Sequence, residues 1–270
     1  MSETAPAPSS EERRREIARL ARTSGLASVE ELSRRFGVTA STIRRDLARL
    51  HDDGLVTRTY GGAAPPIAHP EEPLRERTGA AFAAKRGIAR WAATQVGVGE
   101  TALLDAGTTV GALAHELRGH SPLTVVTTGL TSVQALADAD DVQVVCLGGT
   151  LRHVSQGFVG PVTEAALERV TADVVFLGTD GVDADLGICE ADLQQTRLKE
   201  LLAGRAGRVF VLAHSVKVGA RPFHAWARLP RPWVLVTDAA VEADALAPFH
   251  AAGIRVVVVD DEGRALEGTS

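Results

Sequence analysis

Seven short apolar runs, dominated by valine and leucine and separated by helical or glycine-marked stretches, leave this chain few folds to choose from. They span residues 102–104, 123–127, 142–147, 174–177, 209–212, 233–236 and 256–259. Most are apolar at consecutive positions and do not alternate, so such a strand has to be covered on both faces. Helical patterns fall between several of them, for example at 82–96, 190–203 and 243–251. Strands of this kind alternating with helices predict a mostly parallel α/β sheet covered on both sides.

The residues that follow five of these strands predict where a ligand would sit. They are Asp105-Ala106-Gly107-Thr108-Thr109, Thr127-Thr128-Gly129, Gly148-Gly149-Thr150, Gly178-Thr179-Asp180-Gly181 and Ala213-His214-Ser215. In open α/β sheets ligands collect at the carboxyl ends of the strands. Glycine lets backbone approach an oxyanion, threonine donates to it, and a helix start adds partial positive charge. Gly107-Thr108-Thr109 therefore reads as a phosphate cradle. Glycine follows strands in any α/β fold, but five such loops, with Lys217 beyond the fifth, favour a site over chance. None is a Walker A or a GxGxxG loop, so neither nucleotide hydrolysis nor a dinucleotide cofactor is supported.

Upstream, Pro65-Pro66-Ile67-Ala68-His69-Pro70-Glu71-Glu72-Pro73 is a stretch that no helix can cross. We read residues 1–9 as a polar, disordered leader, 10–64 as a first domain, 65–80 as a linker and 81–265 as the second domain. In the first domain Ser28 and Glu31 form a capping box opening a helix through Phe36, and Gly37-Val38 is a tight turn. The helix that follows places Ile43, Leu47 and Leu50 on one stripe. Ser41, Arg45, Ala48 and Arg49 lie opposite, with Thr42 and Arg44 on the flanks. Arginine forks onto phosphate or guanine, and short hydroxyl side chains allow close approach to the DNA backbone. An earlier helix over 11–24 turns Ile17, Leu20 and Ala21 inward and Arg13, Arg14, Arg15, Arg19 and Arg22 outward. Residues 55–63 read as a ribbon closing on Gly61-Gly62, a wing able to offer Arg58 and Tyr60 to DNA, or else a strand that the glycines end. Helix, glycine turn, helix is the helix-turn-helix order. The arginine spacing alone fits a small packing domain equally well; the first helix and the ribbon tilt the reading to DNA.

A formal charge of −5 argues against DNA binding until the chain is divided. Through residue 64, 11 arginines face 9 acids, net +2, which leaves −7 for the remainder. Length and apolar content, 270 residues at 45% hydrophobic, suit two domains, and no run approaches a membrane span. Cys146 and Cys189 have no partner at metal-ligand spacing. They imply neither a disulfide framework nor a metal site, and read as small buried side chains of a cytoplasmic protein. The N-terminus lacks the basic-then-apolar order of a signal peptide.

Residues 13–63 resemble the DNA-binding half of the DeoR family of bacterial transcription regulators. The resemblance rests on Phe36-Gly37-Val38, Ser41-Thr42-Ile43-Arg44-Arg45-Asp46-Leu47, Gly54-Leu55, Arg58 and Gly61-Gly62-Ala63. The chain to about residue 240 resembles that family's C-terminal sensor, through Lys85-Arg86-Gly87-Ile88-Ala89, Leu104-Asp105-Ala106-Gly107-Thr108-Thr109, Leu147-Gly148-Gly149-Thr150-Leu151-Arg152, Ser155, Phe176-Leu177-Gly178, Lys199 and Lys217. The resemblance implies a winged helix-turn-helix joined to a Rossmann-like sensor domain similar in fold to ribose-phosphate isomerases and glucosamine-phosphate deaminases. It implies a regulator of carbohydrate metabolism, a repressor released from double-stranded operator DNA by a phosphorylated sugar, with no catalytic role. Thr42, Arg44 and Arg45 would go to DNA, with Asp46 orienting an arginine or capping locally. Asp105, Gly107, Thr108 and Thr109 would hold the effector, with Gly148, Gly149, Ser155 and Lys217 completing the pocket; Asp105 either meets sugar hydroxyls or fixes its loop.

The chain departs from the family at Thr128, where Asn is common, at His214, where Asp is common, and at Gln194-Gln195, where an acidic pair is common. One winged helix buries too little for specificity, so a homo-oligomer, a dimer or larger, is expected. Two other readings stay open. One is a sugar-phosphate isomerase or deaminase-like enzyme with a DNA-binding appendage, its nearby carboxylates being Asp105, Asp180 and Glu190. The other is a sensor domain that only oligomerises.

Overall fold

The computed structural model describes residues 9–24, 27–52, 57–59, 62–64, 71, 73–79, 81–120 and 122–266. The chain divides into two compact units, Met1–Pro70 and Glu71–Ser270. The leader through residue 8, Gly54-Leu55, Tyr60, Gly61 and residues 65–70 of the linker lie outside the described residues, as do the side chains of Arg19, Ala21, Arg22 and Arg58.

The first unit runs α1 (Ser10–Ser24), β1 (Ala27–Ser28), α2 (Val29–Phe36), α3 (Ala40–Asp52), β2 (Thr57–Thr59) and β3 (Gly62–Ala64). Ser28 Oγ accepts the Glu31 N–H at 3.1 Å and so satisfies an otherwise orphan amide of α2. Gly37, at φ +63°, ends that helix in the left-handed conformation open to glycine. Ile17, Val29, Leu32, Ile43, Leu47 and Leu50 make the core, so the α3 stripe is buried. β3 pairs antiparallel with both β1 and β2, with Thr59 opposite Gly62, which gives the ribbon of a winged helix-turn-helix.

Arg13 differs from its expected outward position. It lies four residues before Ile17, on the same stripe of α1, and is buried with its Nε 2.6 Å from Asp46 Oδ2 on α3. An arginine on a packing face needs a partner there, and Asp46, itself 5% exposed, supplies the charge.

The second unit opens with α4 (Leu74–Gly79), α5 (Phe82–Ala93), β4 (Thr101–Leu104), α6 (Thr108–Glu116), β5 (Leu123–Thr127), α7 (Leu130–Leu136) and β6 (Val142–Cys146). It continues through β7 (Thr150–Arg152), β8 (Gly157–Val159), α8 (Pro161–Leu167), β9 (Ala172–Leu177), β10 (Gly181–Asp183), β11 (Gly187–Glu190) and α9 (Leu193–Ala203). β12 (Ala206–Leu212), β13 (Ala225–Ala227), β14 (Val234–Asp238), α10 (Ala243–Ala251) and β15 (Arg255–Val259) complete it. Seven strands form one parallel sheet in the order β15-β14-β12-β9-β4-β5-β6. These are the seven runs read from the sequence. Successive side chains face opposite sides, so Leu103 packs with Val175, Leu198 and Phe249 on one face, and Leu104 packs with Ile88, Leu113 and Phe176 on the other.

Three local readings are revised. The helix expected from residue 190 begins at Leu193, because Asp192 Oδ1 caps it by accepting the Gln195 N–H at 2.9 Å, and Glu190 ends a buried strand instead. Part of the stretch read as linker is α4, whose Leu74 N–H donates to Val154 O at 2.8 Å. Cys146 is exposed where a buried side chain was expected, since β6 is the sheet's edge strand and its last residue faces outward; Cys189 is buried. Among the described residues no helix is long and apolar enough to cross a membrane.

Candidate functional site

In the first unit α3 presents a face suited to nucleic acid. Ser41, Arg44, Arg45 and Arg49 are exposed and Thr42 half-buried, opposite the buried Ile43, Leu47 and Leu50. Thr39 Oγ1 accepts the Thr42 N–H at 3.3 Å and lies 2.8 Å from Ser41 Oγ and 2.9 Å from Thr42 Oγ1. Three hydroxyls thus gather at the N-terminus of α3, where the helix dipole favours a phosphate. Asp46 does not join them: it faces inward to Arg13 and stands 3.7 Å from Arg14, tying α1 to α3 and leaving the outer face to arginine.

In the second unit the strand order fixes where a ligand can enter. The chain starts the sheet at β4, moves out through β5 to the β6 edge, then returns to place β9 against the other side of β4. Between β4 and β9 the order reverses, and at such a switch point the loops leaving the two strands open a crevice. Its walls are Gly107-Thr108-Thr109 after β4 and Gly178-Thr179-Asp180 after β9, joined by Ser155, Gln195, Lys217 and Arg77. Gly107, at φ +140°, precedes α6, and no side chain caps that helix, so its first amides face the cleft region without a side-chain acceptor.

Beneath the cleft lies a buried charge cluster. Lys199 Nζ is 3.0 Å from Asp105 Oδ2, contacts Glu190 Oε1, and donates to Gly178 O at 2.9 Å. Asp105 Oδ2 also accepts the Gly178 N–H at 3.1 Å. Asp105 therefore fixes the loops; it is the floor on which they stand. One ammonium serves two carboxyls here. Burial pushes the Lys199 ammonium down, but Asp105 and Glu190 outweigh it and hold lysine above its ordinary range. Burial pushes the Glu190 carboxyl up to about 8, against the pull of Lys199 and with the help of Asp180 and Asp105. At the rim, burial pushes the partly buried Lys217 ammonium down while Asp180, 3.7 Å away, pulls it up.

Of the residues expected at the pocket, Gly107, Thr108, Thr109, Ser155 and Lys217 come together. Gly148 and Gly149 stand apart. Gly148 O accepts from Thr163 Oγ1 at 2.6 Å, and a Cβ on Gly149 would meet that same oxygen at 2.0 Å, so this pair serves close packing against α8. His214 sits 3.9 Å from Asp238, away from the cleft wall. Arg77 is not singled out by the sequence, and Gln195 only as a departure from the family's acidic pair. Arg77 was hidden in the apparent linker, although a proline just before Leu74 is itself a helix-start signal. A wider, mostly apolar groove of about 630 Å³ shares Gly107 and Thr108 with the cleft and runs along α6, with Phe82 and Leu74 at its wall.

Residues 13–66 match the DeoR-like helix-turn-helix domain and residues 81–239 the DeoR C terminal sensor domain. The HTH-type transcriptional regulator GlpR of Haloferax volcanii is 34% identical over 250 residues, which are 91% of this chain and 96% of that one. The glycerol-3-phosphate regulon repressor of Escherichia coli K12 is 34% identical over 75% of this chain and 81% of its own length. The lactose phosphotransferase system repressor of Streptococcus mutans is 32% identical over 84% of this chain and 92% of its own. About half of the chain, 49%, overlays on 52% of a ribose 5-phosphate isomerase from Methanocaldococcus jannaschii at 16% identity and a TM-score of 0.37, an overlay too slight to argue from. With a reading helix of exposed arginines in one unit, a switch-point cleft in the other, and both halves matched in order, this chain belongs to the DeoR family of transcription regulators.

Proposed function

We propose that the protein is a transcriptional repressor that holds an operator through its first unit and lets go when a phosphorylated carbohydrate occupies the cleft of its second. The carrying observation is α3, whose buried stripe turns Arg44, Arg45 and Arg49 outward beside the hydroxyls of Ser41 and Thr42. Arg58, on the ribbon strand β2, would reach the flanking backbone. Gly107, Thr108 and Thr109 would take the effector's anion with Ser155 and Lys217, on loops held by Asp105. Relatives named as repressors of a glycerol-3-phosphate regulon and of a lactose phosphotransferase system support that ligand class. Pairing of half-sites requires a dimer or a larger homo-oligomer, working in the cytoplasm where the operator is.

To empty the operator decisively the effector must favour the released state by roughly 3–5 kcal/mol. Several charge-assisted hydrogen bonds, at about 1.5–3 kcal/mol each before ordering costs, reach that range. Sugar-phosphate isomerisation would instead need a free general base at the cleft. Lys199 holds Asp105 and Glu190, which speaks against it.

The test is fluorescence anisotropy of the full chain on its own upstream DNA at fixed salt, with and without a panel of sugar phosphates. Specific binding released by one compound supports the reading. No preference over scrambled DNA, or turnover of a sugar phosphate by the purified protein, refutes it.

A further inference from the structure

Arg152, Glu71, Arg77, Asp180 and Lys217 form a line of alternating charge beside the cleft. Arg152 and Glu71 meet fork to fork, with Nη1 2.9 Å from Oε1 and Nη2 on Oε2. Arg77 is used only in part. Its Nη1 donates to Asp180 Oδ1 at 2.8 Å and its Nη2 lies 3.6 Å from Glu71 Oε1, but its buried Nε meets no acceptor among the described residues. Asp180 mirrors it: Oδ1 serves both Arg77 and Lys217, while the buried Oδ2 meets no donor among the described residues.

Two more unpartnered atoms, Ser155 Oγ and Gln195 Oε1, belong to residues that line the same cleft and are 3% and 5% exposed. Leaving buried polar atoms unpaired is costly, and these four belong to residues around one crevice, whose free space of about 20 Å³ has room only for a water-sized group while Arg77 and Asp180 are paired. A guanidinium edge matches two oxygens of one phosphate, which a single carboxylate oxygen does not. Its backbone is fixed for the purpose, because Lys85 Nζ donates to the Arg77 carbonyl.

We infer that Arg77 is a ligand of the effector's anionic group, together with Lys217, and that Asp180 is the resident carboxylate displaced from Arg77 when the anion binds. This rests on the cleft being the effector site. It goes further in naming the cation, and in making an internal carboxylate the competitor of the ligand. A phosphate monoester brings a charge of about −1.5 to −2 at neutral pH, so the anion and the Asp180 carboxyl group compete for Arg77 and Lys217. Arg77 also neighbours Glu71, the first residue of the second unit.

Isothermal titration of the full chain with inorganic phosphate, glycerol 3-phosphate and glucose 6-phosphate tests this, with glycerol as the neutral control. Arg77→Gln is expected to raise the Kd of the binding phosphate probe by about tenfold or more, and Arg77→Lys, which keeps charge and loses the fork, by about threefold. Asp180→Asn is expected to lower it by about threefold, because the competing charge is gone. A purely structural Arg77–Asp180 tie predicts weaker binding from both changes. An unaltered Kd in Arg77→Gln, or a raised one in Asp180→Asn, overturns the assignment while the effector site stands. Failure of wild type to bind any phosphate probe removes the effector-site reading and the assignment with it. If circular dichroism shows Arg77→Gln unfolded, Arg77→Lys and Asp180→Asn carry the same contrast of sign.

Discussion

Replacing Glu190 by glutamine probes the charge balance beneath the cleft. In the folded protein Lys199 stands between Asp105 and Glu190, and burial lifts the Glu190 carboxyl from an ordinary 4.5 to about 8. Between those values the folded state keeps a proton that the unfolded chain has released. The stability owed to this group is therefore fully present below pH 4.5, declines as pH rises, and is lost above about pH 8. One proton amounts to about 1.4 kcal/mol per pH unit, so the ceiling over this window is about 5 kcal/mol. Lys199 is held charged throughout it. Glutamine preserves shape and an acceptor for Lys199 but never ionises. Glu190→Gln should thus match wild type near pH 4.5 and exceed it by roughly 2–5 kcal/mol above pH 8. All three tryptophans, Trp91, Trp226 and Trp233, belong to the second unit, so urea unfolding followed by tryptophan fluorescence reads that unit alone. A difference between variant and wild type that stays flat with pH, or shrinks as pH rises, refutes the reasoning.

Arg45→Ala should weaken operator binding by about tenfold and reduce the slope of log affinity against log salt by about one; affinity and slope both equal to wild type would remove α3 as the reading helix. Gly149→Ala forces a Cβ to within 2.0 Å of Thr163 Oγ1 and 2.9 Å of Val159 O at φ +114°. It should lower the stability of the second unit by about 1–3 kcal/mol in urea, and an unshifted midpoint counts against that packing role. Ser28→Ala removes the α2 cap at a cost of about 1 kcal/mol, read as faster amide hydrogen exchange across α2; unchanged exchange there means the cap is immaterial.

The parts of this protein that could be read from the sequence are those set by signals a few residues long. Ser28 with Glu31, and Gly37 after Phe36, bounded α2 because capping chemistry is local. Ile43, Leu47 and Leu50 gave the inner face of α3 because helical spacing is geometric. The seven apolar runs became the seven parallel strands because a strand apolar on both faces has to be covered on both. Glu190 was misplaced in a helix because helical periodicity runs on smoothly through the Asp192 cap, and nothing local shows that β11 pairs with β10 and β13. Arg77 was overlooked because prolines on its N-terminal side made α4 look like linker.

By itself, then, the sequence determined the kinds of element and the helix that turns arginine outward. Only the tertiary structure decided the strand order, and with it which of the five strand ends, four of them glycine-bearing, form the cleft. β9 returns to lie beside β4, so Asp105 meets Gly178 across 73 residues of chain, and Arg77 meets Asp180 across 103. Gly148-Gly149 after the edge strand β6 is left outside. The physical reason is that caps and periodicity are properties of neighbouring residues, whereas strand order follows from burying every apolar face at once, and that requirement belongs to no single stretch of the chain.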